Sequence, residues 1–210
     1  MISHDGEYIA FVALDLVGLG SPRIEEARRR LVADGFAIDH LVVSSSHNHD
    51  GPDTMGLWGN PFIGVTGRDL DYQEVVTNAV EQAVRDAAAA MEPVELKVGR
   101  THMRDESPFF SGSIFGGKNP TPKMHGMVFD GRDPVIVSDQ LLVIQGIGDG
   151  GTVFTLTNWS GHPEVRGGDN NAISSDWVGV TRTVLEDTYG GIALHVPESL
   201  GGMQSALHAD

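Results

Sequence analysis

The sequence predicts an α/β fold in which mixed β-sheet or sheets are layered with helices. Three observations carry this reading. A strand–helix–strand pattern over residues 8–45 is the usual sign of parallel pairing. An apolar stripe of helical period runs from Tyr72 to Met91 and leads into a further strand. Two strand-like runs then flank Asp149, Gly150 and Gly151, a good hairpin signal.

In chain order, Tyr8 to Leu16 reads as a buried strand, a short run of β-formers followed by Gly18 and Gly20. Ser21 is placed as the N-cap of a helix with Pro22 at its first position, and Ile24, Ala27 and Leu31 as its inner stripe. Gly35 ends that helix as a left-handed cap, with Phe36 folding back on Leu31. A strand at 40–45 follows. The second helix has capping-box spacing at Asp71 and Glu74, and apolar residues at Tyr72, Val75, Val76, Ala79, Val80, Ala83, Val84, Ala87, Ala88 and Met91. Pro93 marks its end, and Val94 to Val98 is a strand. Residues 104–134 are rich in Gly, Pro and Ser with Phe109, Phe110 and Phe115 interleaved, which suits either an apolar wall over a substrate or a surface excursion. Val135 to Gly146 and Thr152 to Trp159 form the hairpin. Ser174 or Ser175 caps a third helix that runs to Tyr189 and stops at Gly190 and Gly191, and Ile192 to Val196 is a last strand.

The 210 residues fit one domain, 1–210, and a 40% hydrophobic content is enough to bury a core. A formal net charge of -15 argues against nucleic-acid binding, which needs a basic face, and gives no help toward an anionic membrane. No apolar run approaches the length of a spanning helix, and no secretory signal is visible at Met1. The chain has no cysteine, so thiolate zinc sites, disulfides and a cysteine nucleophile are excluded. A metal here must be held by His, Asp, Glu or Tyr.

The functional signal lies at two strand ends. The strand at 40–45 runs straight into His47, Asn48, His49, Asp50, Gly51 and Pro52. Residues i and i+2 of an extended segment point to one side, so His47 and His49 are expected to reach one site. His162 opens a loop after the strand ending at Trp159. Imidazole is the commonest metal ligand and the usual proton carrier near neutral pH. The three residues therefore suggest a metal-dependent hydrolase. His47 and His162 are the best ligand pair; His49 is either a third ligand or a general base and acid facing the bound water. Asp15 and Asp176 are available to orient an imidazole, although a strand-end turn and a helix N-terminal carboxylate account for them better. His4, His40, His102, His125, His195 and His208 are expected to be surface or hydrogen-bonded residues.

At these residues the chain resembles the neutral/alkaline non-lysosomal ceramidase family. The family carries a strand-end motif S-x-T-H-T-H-S-G-P, over whose last eight positions this chain reads Ser45-Ser46-His47-Asn48-His49-Asp50-Gly51-Pro52. It then has N-[WF]-x-x-H, matched by Asn158 to His162, and N-x-x-[IL]-S-x-D-x-x-G, matched by Asn170 to Gly179. The early segment Asp15-Leu16-Val17-Gly18 is also similar. The resemblance implies that His47 and His162 bind zinc and that His49 is a catalytic histidine. The implied reaction is hydrolysis of an N-acyl amide, as in ceramide giving a sphingoid base and a fatty acid.

Asn48 and Asp50 stand where the family more often has Thr and Ser, which is expected to alter the rim of the site. The family's arginine-bearing loop is not recognisable around Ser107 to Phe110, and Arg104 is not given its role. The family draws a glutamate and a tyrosine ligand from farther downstream. The chain therefore reads as the N-terminal part of a larger ceramidase-like catalytic domain, its zinc site completed by a C-terminal portion. The resemblance suggests an exported protein. Alternatives are a non-catalytic or incomplete ceramidase-like fragment, or another metal hydrolase. A metallo-β-lactamase-like enzyme expects His-X-His-X-Asp-His, whereas here Asp50 follows the second histidine directly.

Overall fold

Short runs of β-formers and two amphipathic helices build the first of two compact units, Met1–Ser46 with Gly51–Pro93. The second unit comprises His47–Asp50 and the chain from Val94 onward. This computed structural model describes residues 1–102, 138, 140–166 and 170–200. The phenylalanine-bearing segment, Arg104, His125, His208 and the start of the strand expected at Val135 lie outside the described residues.

In the first unit, strands β1 (Ile2–His4), β2 (Glu7–Leu14) and β3 (His40–Ser45) form one sheet in that order. β2 and β3 are parallel, with Ile9 opposite His40 and Leu14 opposite Ser45, as the crossover requires. β1 was not expected from the sequence; it joins β2 through a tight turn in which Asp5 and Gly6 both have positive φ. Helix α1 (Ser21–Ala33) is the crossover. Its N-cap is Gly20, not Ser21, and no side chain caps it: Ser21 is already helical beside Pro22. At its other end Gly35 is left-handed (φ 76°) and Phe36 N–H donates to Leu31 O at 2.9 Å, as expected.

Helix α2 (Leu70–Ala89) starts earlier than the Asp71–Glu74 pattern suggested, because Asp69 caps it by accepting from the N–H groups of Asp71 and Tyr72. Its buried face is Gln73, Val76, Thr77, Val80 and Val84, while Val75 points outward. Gln73 tolerates burial because its amide donates to Thr54 O at 2.6 Å, and Thr77 bonds back to Gln73 O. Ala10, Val12, Ala27, Leu31, Ile38, Val80 and Val84 make the core of this unit.

In the second unit, β4 (Glu95–His102), β5 (Gln140–Gly148), β6 (Gly151–Trp159) and β7 (Ile192–Pro197) lie side by side in that order. The first two pairings are antiparallel, the hairpin among them, and β6 and β7 are parallel. Helix α3 (Asp176–Tyr189) connects β6 to β7, and left-handed Gly190 and Gly191 end it. The α/β class with mixed sheets is as expected. Among the described residues there are two sheets, each with parallel and antiparallel pairs.

From α1, Arg30 pairs with Glu26 one turn back and reaches Glu74 and Glu81 of α2, and Arg23 also bonds Glu74 at 3.0 Å. The hydrogen bond and charge of Arg30 hold the Glu74 carboxyl below its ordinary value. A depressed carboxyl stabilises the fold above its unfolded value and loses that contribution as pH falls through the folded one. Glu74→Gln is therefore expected to lower the denaturation midpoint at pH 7, with the difference from the parent shrinking in acid below the unfolded carboxyl value of about 4.5. Urea titrations at both pH values check this; an equal difference at both would refute it.

Candidate metal centre

β3 ends at Ser45, so the residues that follow must find hydrogen bonds outside the ladder. His47 adopts a left-handed backbone, φ 66°. That conformation is uncommon for a residue with a Cβ and turns the chain sharply. His47 and His49 therefore do not converge by the alternation of an extended strand, as the sequence suggested. They converge because the chain turns at His47 and is then held on both sides.

Asn48 does the holding. It is fully buried (0% exposed). Its side-chain amide donates to Ser174 O at 2.6 Å, and its oxygen accepts from Asp50 N–H at 3.0 Å. The expectation that Asn48 alters the rim is thus corrected: it fastens the loop from inside. Backbone bonds from Ser174 N to Asp50 O and from His49 N to Pro163 O tie the same residues to the other two loops.

The His162 loop is set by its own neighbours. Trp177, near the start of α3, donates its indole N–H to His162 O at 3.0 Å. The Trp177 ring meets Trp159 and His195 edge-on, at 5.4 and 4.9 Å between centroids. His195 is buried, and its Nδ1 pairs with Thr157 Oγ1 at 3.1 Å, which fits its expected hydrogen-bonded role. Asp176 is buried with φ 52° and accepts from Arg166 N and Trp177 N. It organises this loop and the helix start. Asp15, in the first unit, accepts from Ser46 Oγ at 3.3 Å.

These constraints bring His47, His49 and His162 together in the second unit. Their rings meet edge-on, with centroids 5.1, 4.9 and 5.5 Å apart. One nitrogen from each lies within 4.8 Å of the others, a group that could hold a metal ion. Glu164, to which the sequence reading gave no role, places a carboxylate oxygen 3.5 Å from His49 Nδ1. Its signal was available: a carboxylate two residues after the loop histidine. The side chain of His49 is 35% exposed. Burial lowers its tendency to protonate, and the His47 and His162 charges act the same way, against the opposing pull of Glu164 and Asp50. A neutral imidazole is the form that can bind a metal or accept a proton. Asp50 also buries one carboxylate oxygen, Oδ2, with no hydrogen-bond partner among the described residues.

The chain shares its fold with neutral ceramidase. The crystal structure of neutral ceramidase from Pseudomonas aeruginosa superposes with a TM-score of 0.70 at 15% identity, over 92% of this chain and 31% of that one. A ceramidase complexed with C2 gives 0.69 at 15% identity, over 92% and 30%. The chain thus spans about 30% of the length of these structures. No family model matches the sequence, and no curated protein does. The resemblance read from the histidine motifs is met at the level of the fold.

Asn48→Ala would remove the partner of the half-buried Ser174 carbonyl and Asp50 N–H and empty a fully buried position. Unsatisfied buried groups cost about 1–3 kcal/mol each. The variant is expected to lose roughly 2 kcal/mol or more in urea denaturation, and a loss below roughly 0.5 kcal/mol, the range of an ordinary surface change, would remove Asn48 from its fastening role.

Proposed function

We propose that His47, His49 and His162 form a zinc-dependent site for hydrolysis of an N-acyl amide, a ceramide-like lipid amide. The observation that carries this reading is the convergence of three imidazole nitrogens within 4.8 Å on a fold shared with neutral ceramidase. The donor set suits the metal. Tetrahedral zinc with bonds of about 2.0–2.1 Å needs ligand nitrogens roughly 3.4 Å apart, a spacing that modest ring rotations would reach. The carboxylates of Glu164 and Asp50, whose charges act on His49, favour a cation there.

In this reading His47 and His162 are the zinc ligands. His49 is the proton carrier, because it is the imidazole paired with a carboxylate. Glu164 at Nδ1 would orient its ring and stabilise it once protonated, leaving Nε2 to take a proton from the attacking water and pass it to the departing amine. Bound zinc would supply a Lewis acid for the acyl carbonyl and lower the pKa of water. With His49 so employed, two ligands remain among the described residues, one short of the usual three. The 210 residues alone are then expected to bind zinc weakly and to be inactive, and the hydrolysis is proposed of the whole protein that carries them.

In the whole protein, His47→Ala and His162→Ala should each lose most of the bound zinc by metal analysis; wild-type stoichiometry in both would overturn the ligand assignment. His49→Ala should keep zinc and lose about a hundredfold or more in rate. Zinc lost in step with activity would make it a ligand instead. A panel of medium- and long-chain N-acyl amides, esters and phosphoesters tests the reaction class, and clean ester or phosphoester cleavage without amide cleavage would reject it.

A further inference from the structure

In a chain of net charge -15, the stretch from Thr54 to Gly67 contains no charged residue. It also carries a run of exposed apolar side chains. Phe62 is 96% exposed, Ile63 70%, Leu57 61% and Trp58 55%, with Met55 and Val65 also outward. Scattered exposed apolar residues are ordinary, but a contiguous group is not.

This loop is built, and its polar backbone is turned inward. Asp53 accepts from the N–H groups of Met55, Gly56 and Trp58 at 2.9, 2.6 and 3.0 Å. Burial works against ionisation of its carboxyl, yet the N–H groups of Trp58, Gly56, Leu57 and Met55 together hold it below its ordinary value. At the tip, a single turn of 3₁₀ helix over Pro61–Ile63 is closed by a bridge between Asn60 and Val65. Asn60 Oδ1 accepts from Phe62 N–H, and Asn60 O from Val65 N–H. A Cβ on Gly59 would lie 2.3 Å from Val65 O, so the two arms approach as closely as glycine permits. Thr54 Oγ1 anchors the base by donating to Gly18 O.

We propose that this loop inserts into the surface of a neutral lipid bilayer. Lipid hydrocarbon favours backbone whose polar groups are bonded internally, and at the tip Asn60 takes up the N–H groups of Phe62, Ile63 and Val65. A Trp at Trp58 and purely apolar side chains at Phe62 and Ile63 give the combination found at bilayer interfaces, an amphipathic ring beside hydrocarbon. The charge of the chain selects the lipid. An acidic protein is repelled by anionic headgroups, whereas an uncharged tip meets a zwitterionic surface without penalty. The inference does not depend on the hydrolytic reading.

The test uses the full chain with phosphatidylcholine vesicles. Trp58 emission should shift to the blue and be quenched by brominated acyl chains, and Trp58→Phe should abolish the quenching. The double variant Phe62→Ser, Ile63→Ser removes two exposed side chains with no core role, and should weaken partitioning roughly tenfold or more. Val98→Ser, an exposed apolar residue elsewhere, should not. Vesicles rich in phosphatidylserine should bind less. Absence of any shift with the parent, or unchanged partitioning of the double variant, would overturn the proposal. So would concentration-dependent self-association of the parent lost in the double variant, since a second copy would then be the occupant.

Discussion

The candidate centre depends on how the chain satisfies its backbone after it leaves the sheet. Once β3 ends, ladder partners are gone, and the loop can be fixed only by bonds sent elsewhere. A buried amide side chain supplies them. Asn48 joins its own turn to the segment before α3, a backbone bond from Ser174 to Asp50 repeats that tie, and one from His49 to Pro163 adds the His162 loop. Three separate stretches of chain are thereby cross-tied, and each contributes to the placement of an imidazole.

Fixing these loops before any ligand arrives matters energetically. Each ordered residue costs roughly 1–2 kcal/mol of backbone freedom, and a site assembled only on binding would subtract that from its affinity. Here folding has already met the cost. The indole of Trp177 illustrates the division of labour: it fixes the carbonyl of His162 while packing against Trp159 and His195. Burial, with the charges of His47 and His162, also keeps His49 from its protonated form against the pull of Glu164 and Asp50. A cluster of like donors is stable only while uncharged, and that is the state a metal needs.

Much of this was legible in the residues. The crossover through α1 and the hairpin between β5 and β6 followed from glycine, proline and β-former placement, because local rules dominate there. The α2 boundary was misjudged because a capping-box spacing at Asp71 competed with a real cap at Asp69, and only the hydrogen bonds decide between them. Its inner face was misjudged too. Gln73 and Thr77 are buried by partners distant in sequence or one turn away, which hydrophobic periodicity does not register. At the site, the histidines were found from type and position, yet the reason for their convergence was not. A left-handed His47 leaves no trace in composition, and a buried Asn48 reads in sequence as one more polar loop residue.

The left-handed turn at His47 bears on any attempt to move this cluster to another scaffold. Copying the residue types into an idealised strand end would give extended backbone at the first histidine, and the two imidazoles would be aimed by strand alternation instead. A faithful transplant has to import the whole clasp: the strained histidine, the sealed asparagine behind it, and the acceptor carbonyl at Ser174 that arrives from a distant part of the chain.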